Sequence, residues 1–316
     1  MSRGMTFVLL FPGQGSQKPG MAQDLSESYL AAREVLMRGD ESLGVSMTSL
    51  LFNGPESDLT LTQNAQPALF LHGAALFAVL RDRLAKRVVA AAGHSLGEFT
   101  AYHAAGSLTL ERGVRLVRRR GELMYESGVQ RPGAMAAVLG AVEGGIEALC
   151  ERATVESDLV VPANFNNAVQ VVVSGTVAGV EKLMELAKEA GARRVVRLNV
   201  SGAFHSPLME SAAEGLELAL DVAEMVDPDY PVWSNVTGNP VSSAAEARAL
   251  LRQQLTSPVR WEQLIQRMTA QHPDARYLEL GPGNVLTGLV RRIAPGVQVG
   301  TCGTAAEAEA LLSELD

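Results

Sequence analysis

The feature that most constrains this chain is Gly93-His94-Ser95-Leu96-Gly97. It directly follows a short apolar run at residues 87–92 and leads into a stretch of helical composition at 98–105. A G-x-S-x-G sequence in that setting makes a sharp strand-to-helix turn, because only glycine on each side lets the backbone fold back without a clash. The turn lifts the serine hydroxyl clear of the sheet, and the following helix brings the positive end of its dipole to the same spot. The bare pattern is weak; the strand before it and the helix after it make Ser95 the candidate nucleophile. Strand, tight turn, helix is also the repeating unit of a layered α/β fold with a parallel sheet. Residues 6–11, a continuous apolar run ending in Pro12-Gly13, read as another buried parallel strand. Residues 68–80 are apolar almost all round, as in a helix packed on several sides.

The middle of the chain follows a different pattern. Strands are predicted at 134–139, 159–165, 169–174 and 194–200, and helices at 142–152 and 177–190, the latter stopped by Gly191. Asn166-Asn167 is the expected turn between the second and third of those strands. The order β-α-β-β-α-β is that of the split ferredoxin-like unit. Alternation then resumes with strands near 231–233 and 277–280 and a closing helix at 305–315. The predicted architecture is α/β, a hydrolase-like parallel-sheet core built from residues 1–129 and 199–316. Residues 130–198 are inserted as a ferredoxin-like α+β subdomain, which accounts for a length of 316 residues.

Charge and composition remove several function classes. Lys plus Arg is 27 and Asp plus Glu is 35, a net charge of −8, the wrong sign for bulk nucleic-acid binding. Apolar stretches such as 74–80 fall far short of the ~18–20 residues of a membrane span. Arg3 precedes a short apolar run with no small-residue cleavage site, so the N-terminus reads as a first strand and not a signal peptide. Cys150 and Cys302 lie far apart and form no metal or redox motif. A cytoplasmic protein without a metal site is expected.

A nucleophilic serine needs a base, and there are five histidines. His72 and His103 fall in helical stretches, where packing is their expected role. His94 adjoins the serine but should point away from it, and His272 is expected on the surface beside Pro273. His205 lies in the small-residue loop Ser201-Gly202-Ala203-Phe204-His205-Ser206-Pro207, just past the insertion, where a hydrolase-like layout delivers its histidine. Phe11-Pro12-Gly13-Gln14-Gly15-Ser16-Gln17 bares its backbone at the end of the first strand. It lacks the lysine placement of a phosphate-binding P-loop, leaving an oxyanion-binding loop or an ordinary turn. Arg112, Arg115 and Arg119 recur at helical spacing and share a solvated side. Arg120 points instead to the packed side with Leu116 and Leu123, where a carboxylate-bearing substrate would satisfy it.

With these residues in place, the sequence resembles the malonyl-CoA:acyl-carrier-protein transacylases of fatty-acid and polyketide synthesis. The landmarks are Phe11-Pro-Gly-Gln-Gly-Ser-Gln17, Gln66-Pro-Ala-Leu69, Gly93-His-Ser-Leu-Gly-Glu98 and Arg120-Gly-Glu-Leu-Met124. Further along come Asn164-Phe-Asn166, Ala203-Phe-His-Ser-Pro-Leu208 and Glu279-Leu-Gly-Pro-Gly283. The resemblance implies that Ser95 attacks a malonyl thioester, His205 carries its proton, and Arg120 holds the free carboxylate. It implies an oxyanion hole from the backbone N–H groups of Gln14 and Leu96, and an acyl pocket that includes Phe204 and Gln66. The histidine would be oriented by a main-chain carbonyl, by motif that of Gln254, next to Gln253. The implied substrates are malonyl-CoA and the phosphopantetheine of acyl carrier protein, with no bound cofactor, in the service of fatty-acid biosynthesis. Carrier proteins of this pathway are acidic, so docking onto a chain of net charge −8 needs a local cationic patch. Arg112, Arg115 and Arg119 form one such patch, and Arg193 with Arg194 another. A polyketide or malonate-decarboxylase system is the nearby alternative, and a serine esterase or thioesterase the more distant one.

Overall fold

A computed structural model describes residues 5–200 and 202–315. Arg3 and Ser201 lie outside the described residues. Apolar runs without polar alternation become strands buried on both faces. Phe7–Phe11 (β1) and Val88–Gly93 (β2) pair in parallel at the centre of the large sheet. The smaller, antiparallel sheet contains Gly133–Leu139 (β3), Val160–Asn167 (β4), Gln170–Thr176 (β5) and Arg194–Arg197 (β6). Val232–Trp233 (β7), Pro240–Val241 (β8), Arg276–Leu280 (β9) and Val299–Cys302 (β10) complete the large one. Its order is β10-β9-β1-β2-β7-β8, parallel except for β8, which joins the edge antiparallel. The register matches Phe11 to Gly93, so the loops after β1 and β2 leave the sheet side by side.

The small sheet has the order β4-β5-β3-β6, every pair antiparallel. Side chains alternate faces along each strand. Ala134, Ala136 and Val138 of β3 pack with the helices Ile146–Ala153 and Val177–Glu189, while Met135 joins the main core. Ala163 and Val172 face the same way as Met135. Two backbone bonds tie this sheet to the larger unit: Phe165 N–H to the Val259 carbonyl at 2.9 Å, and Val259 N–H to the Ala163 carbonyl at 2.8 Å.

Three predicted boundaries move. The helix expected from 142 begins at Ile146, because Gly144 and Gly145 adopt φ of 80° and 85° and make a turn first. Asn166 and Asn167 are not the turn but the end of β4, and the chain reverses at 168–169. The Asn167 side chain accepts from the Val169 N–H at 3.0 Å and closes that turn from outside it. β6 stops at Arg197, not at 200. No helix among the described residues is long and apolar enough to cross a membrane.

Candidate active site

The loop after β2 carries Ser95 at φ 51°, ψ −105°, immediately before the helix Leu96–Ala104. A non-glycine residue held there is strained, and persists only where its surroundings over-determine it. They do so here. A Cβ on Gly93 would lie 1.9 Å from the Gly97 carbonyl carbon, and one on Gly97 would lie 2.0 Å from the Phe11 carbonyl oxygen. Asn235, just past β7, clamps the turn from the side. Its Oδ1 accepts from the Ser95 N–H at 2.7 Å, and its Nδ2 donates to the Gly93 carbonyl at 2.7 Å.

His205 meets the serine across 110 positions of sequence, its Nε2 lying 2.8 Å from Ser95 Oγ. Its Nδ1 faces only carbonyl oxygens, those of Gln254 at 2.8 Å and Ser257 at 3.2 Å. Carbonyls cannot donate, so the proton sits on Nδ1 and the Nε2 lone pair is turned toward the hydroxyl. Burial, and after it the positive charge of Arg120, push the imidazole down to about 3 against the pull of the two carbonyls. At neutral pH His205 is therefore an uncharged acceptor.

Arg120 comes from the helix Leu110–Gln130 and is 1% exposed. Its Nη1 donates to Gln66 Oε1 at 2.8 Å, and its Nη2 to Gln254 Oε1 at 2.9 Å and Ser95 Oγ at 3.0 Å. The guanidinium lies over the Phe99 ring, 5.3 Å from its centroid. No ion pair reaches it among the described residues, and its Nε–H has no partner there. Burial lowers it to about 9 while Glu98 holds it up, so it stays positive at neutral pH. A buried cation without a contacting carboxylate is an arrangement that an anionic ligand completes.

Gln14, Gln66, Ser95, Leu96, Arg120, Phe204 and His205 all line one pocket of about 120 Å³, roughly four water volumes. The backbone N–H groups of Gln14 and Leu96 have no acceptor among the described residues, and the Leu96 N–H opens a nine-residue helix. An outer cavity of about 610 Å³ shares Gln14 and Val200 with this pocket and leads out past Thr62 and Asn199. The other histidines stay out of reach of the serine. His94 turns to Asn166 Oδ1 at 2.8 Å and packs against Trp261; His72 and His103 bond the carbonyls of Gly303 and Leu108. His272, expected at the surface, is half-buried.

Asn235 and Ser257 stand in no motif that assigns them a role, and Glu98 stands only at the end of one. Asn235 carried one usable signal, a polar residue just past a short apolar strand, the place where neighbouring strands had put Gln14 and Ser95. Glu98 is buried, and its Oε2 accepts from Gln254 Nε2 at 2.6 Å and the Asn235 N–H at 3.2 Å. Of the surface arginines, Arg112 pairs with Glu224 and Arg119 with Glu122 and Glu126, while Arg115 donates to the Ser42 carbonyl. Arg193 and Arg194 are exposed and make no ion pair among the described residues. No group of three or more His, Cys, Asp or Glu among the described residues could hold a metal ion.

Comparison with known proteins identifies the family. Residues 6–297 match the acyl transferase domain family. The malonyl CoA-acyl carrier protein transacylase of Bacillus subtilis (strain 168) is 44% identical over 286 residues, 90% of each chain. The crystal structure of acyl-carrier-protein-S-malonyltransferase from Bartonella henselae superposes with a TM-score of 0.92 at 40% identity, covering 98% of this chain and 99% of that one. A malonyl-transacylase solved in complex with a type II polyketide acyl-carrier protein gives a TM-score of 0.92 at 35% identity, with the same coverage.

Proposed function

The chain belongs to the malonyl-CoA:acyl-carrier-protein transacylase family of acyl transferases, and from that premise we propose how its own residues carry the reaction. The enzyme transfers malonyl from malonyl-CoA to acyl carrier protein. In the first half-reaction Ser95 Oγ attacks the thioester carbonyl and passes its proton to His205 Nε2. The oxyanion is received by the N–H groups of Gln14 and Leu96. The imidazolium then gives that proton to the departing coenzyme A sulfur, leaving malonyl as an ester on Ser95. In the second half the phosphopantetheine thiol of the carrier gives its proton to His205 and attacks the ester, and Ser95 recovers the proton as it leaves.

Arg120 takes the free malonyl carboxylate. Gln66 and Gln254 each draw one N–H from a different terminal nitrogen, which leaves one N–H on Nη1, and the N–H that Nη2 gives Ser95 Oγ completes a two-point contact once the carboxylate displaces that oxygen. The arriving carboxylate also cancels the charge that weakens His205, so the base strengthens once the right acyl group is seated. Phe204 narrows the pocket where an α-methyl group would lie. The outer cavity offers the path for the pantetheine arm. Residues 130–198 form the inserted subdomain, which roofs the cleft with Met135 and Asn164, over a core of residues 1–129 and 199–316. We place the enzyme in the cytoplasm, without a bound cofactor, supplying fatty-acid biosynthesis. A polyketide carrier is the second reading, favoured by the relative solved with such a carrier.

The observation that carries the residue assignments is a single oxygen with two partners. Ser95 Oγ meets a neutral base, His205, at 2.8 Å and a buried cation, Arg120, at 3.0 Å. An esterase needs the first and has no use for the second. The experiment is intact-protein mass spectrometry after mixing with malonyl-CoA. The expected result is one malonyl group on Ser95 that persists until carrier protein is added and then moves to the carrier thiol, with no adduct on Ser95→Ala. Rapid release of free malonate without an adduct, or an adduct on the variant, overturns the assignment.

A further inference from the structure

We propose that Glu98 is a positioning residue for acyl selection: through the side-chain amide of Gln254 it fixes the acceptor that pins Arg120, and so sets the pocket's preference for an acyl group bearing a carboxylate. The proposal rests on the role given to Arg120 above. Glu98 sits one turn beyond Ser95 in the helix Leu96–Ala104 and is 1% exposed. A carboxylate is kept at such depth only by donors, and it has two, Gln254 Nε2 and the Asn235 N–H, both on Oε2. Its Oε1 has no partner among the described residues.

Gln254 stands between this anion and the cation. A side-chain amide has a donor end and an acceptor end. An ionised carboxylate only accepts, so Glu98 requires the nitrogen end, and the Ser95 carbonyl, 3.1 Å from the same Nε2, requires it too. The oxygen end is then forced onto Arg120 Nη2, at 2.9 Å. Flipping the amide would set N–H against N–H on one side and oxygen against carboxylate on the other. Gln66, the opposite anchor of Arg120, has no such lock: its nitrogen faces only the Met124 sulfur, a weak acceptor, at 3.0 Å. Of the two glutamines that hold Arg120, the one locked in a single orientation is therefore Gln254, and the lock is Glu98.

Protonation leaves this lock in place, because a proton on the unpartnered Oε1 leaves Oε2 an acceptor for the Gln254 amide. Burial holds the Glu98 carboxyl up at about 7, opposed by Gln254, the Asn235 N–H and the charge of Arg120. The titratable groups facing it are Arg120 from the helix Leu110–Gln130 and Tyr102 of its own helix; Gln254 and Asn235, from the other elements, do not titrate.

The test is the malonyl-to-acetyl ratio of kcat/KM, measured with the two coenzyme A thioesters and acyl carrier protein. Glu98→Leu fills the space without an acceptor, Glu98→Gln keeps an acceptor without the charge, and Gln254→Leu removes the bridge but keeps its backbone carbonyl. Glu98→Leu and Gln254→Leu should lower the ratio ~10–100-fold, mostly through the KM for malonyl-CoA, as expected for a hydrogen bond to a charged group. Glu98→Gln should return the ratio to within about threefold of the unmodified enzyme, the rescue expected if an acceptor is what the amide needs. Equal losses for both acyl groups would make Glu98 a structural residue. An unchanged ratio in Glu98→Leu, or in Gln254→Leu should the former not fold, would also overturn the proposal. Arg120→Ala run alongside separates the two readings: if it leaves the ratio intact, the role of Arg120 fails, and if it alone collapses the ratio, only the role of Glu98 fails.

Discussion

The helix Leu110–Gln130 presents the same side chain to two worlds. On its outer side Arg112, Arg118 and Arg119 meet carboxylates directly, those of Glu224, Glu122 and Glu126. On its inner side Arg120 meets none, and is held by two glutamine oxygens and a serine hydroxyl. The outer pairs lie in water, where high dielectric and side-chain entropy leave such contacts worth about 0–1 kcal/mol. The inner guanidinium has lost its hydration and has no direct counter-ion, so a ligand that brings one gains far more. The difference is one residue in sequence and about 100° around the helix axis. Desolvation, and not the type of charge, separates the solvated arginines from the buried one that an anionic ligand would complete.

The hardest blow to that contrast is Arg120→Ala. Malonyl transfer should fall by several hundred-fold or more, as for a charge pair worth ~3–5 kcal/mol when broken. Acetyl transfer, with no carboxylate to lose, should hold or improve. Arg120→Lys should recover part of the malonyl activity, because an ammonium cannot reproduce the two-point fork. The kcat/KM of each acyl group reads this out, and parallel losses for both would reduce Arg120 to a structural role.

A second test uses pH and the two buried groups beside Arg120. Burial raises the folded pKa of Glu98 to about 7, above its ordinary value of 4.5. The folded state thus binds the extra proton between those values, and the contribution of Glu98 to stability is lost as pH rises from about 4.5 to 7. His205, lowered from 6.5 to about 3, does the reverse: its contribution is lost as pH falls through that window. Denaturation midpoints across pH 4–8 should show Glu98→Gln gaining stability relative to the parent enzyme as pH rises. A pH-independent difference between the two would show that Glu98 is not protonated in the folded state.

The smallest effects belong to the outer surface. Arg193 and Arg194, exposed and without ion pairs among the described residues, have charge to offer an acidic carrier, whereas the Arg112, Arg115 and Arg119 side is already engaged. Arg193→Glu with Arg194→Glu should raise the KM for carrier protein several-fold at low salt, and added salt should mimic the change in the parent. Arg119→Ala should alter stability by no more than about 1 kcal/mol and leave the malonyl-to-acetyl ratio where it was. If Arg119→Ala raised the carrier KM and the reversal at 193 and 194 did not, docking would lie on the helix side instead.

Much of this was written locally in the chain. The elbow around Ser95, the strand at the start, the β-α-β-β-α-β order of the middle and the division of Arg120 from its neighbours all follow from residue periodicity and from where glycine stands. Such features depend on backbone geometry over a few positions, and a linear pattern can carry them. What no local pattern holds is which polar groups meet across the fold. Ser95 meets His205 over 110 positions, Arg120 meets Gln254 over 134, and Glu98 meets the Asn235 N–H over 137. Asn166 and Asn167 show the same limit on a smaller scale. Their composition reads as a turn, but pairing of Phe165 and Asn167 with β5 keeps both in β4, where Asn166 is used by His94 and Asn167 by the turn beyond it. Residue type set what each group could donate or accept. Packing of the two sheets and the long helices decided which partner it received and how far it was removed from water, and with that the charge state of His205, Glu98 and Arg120.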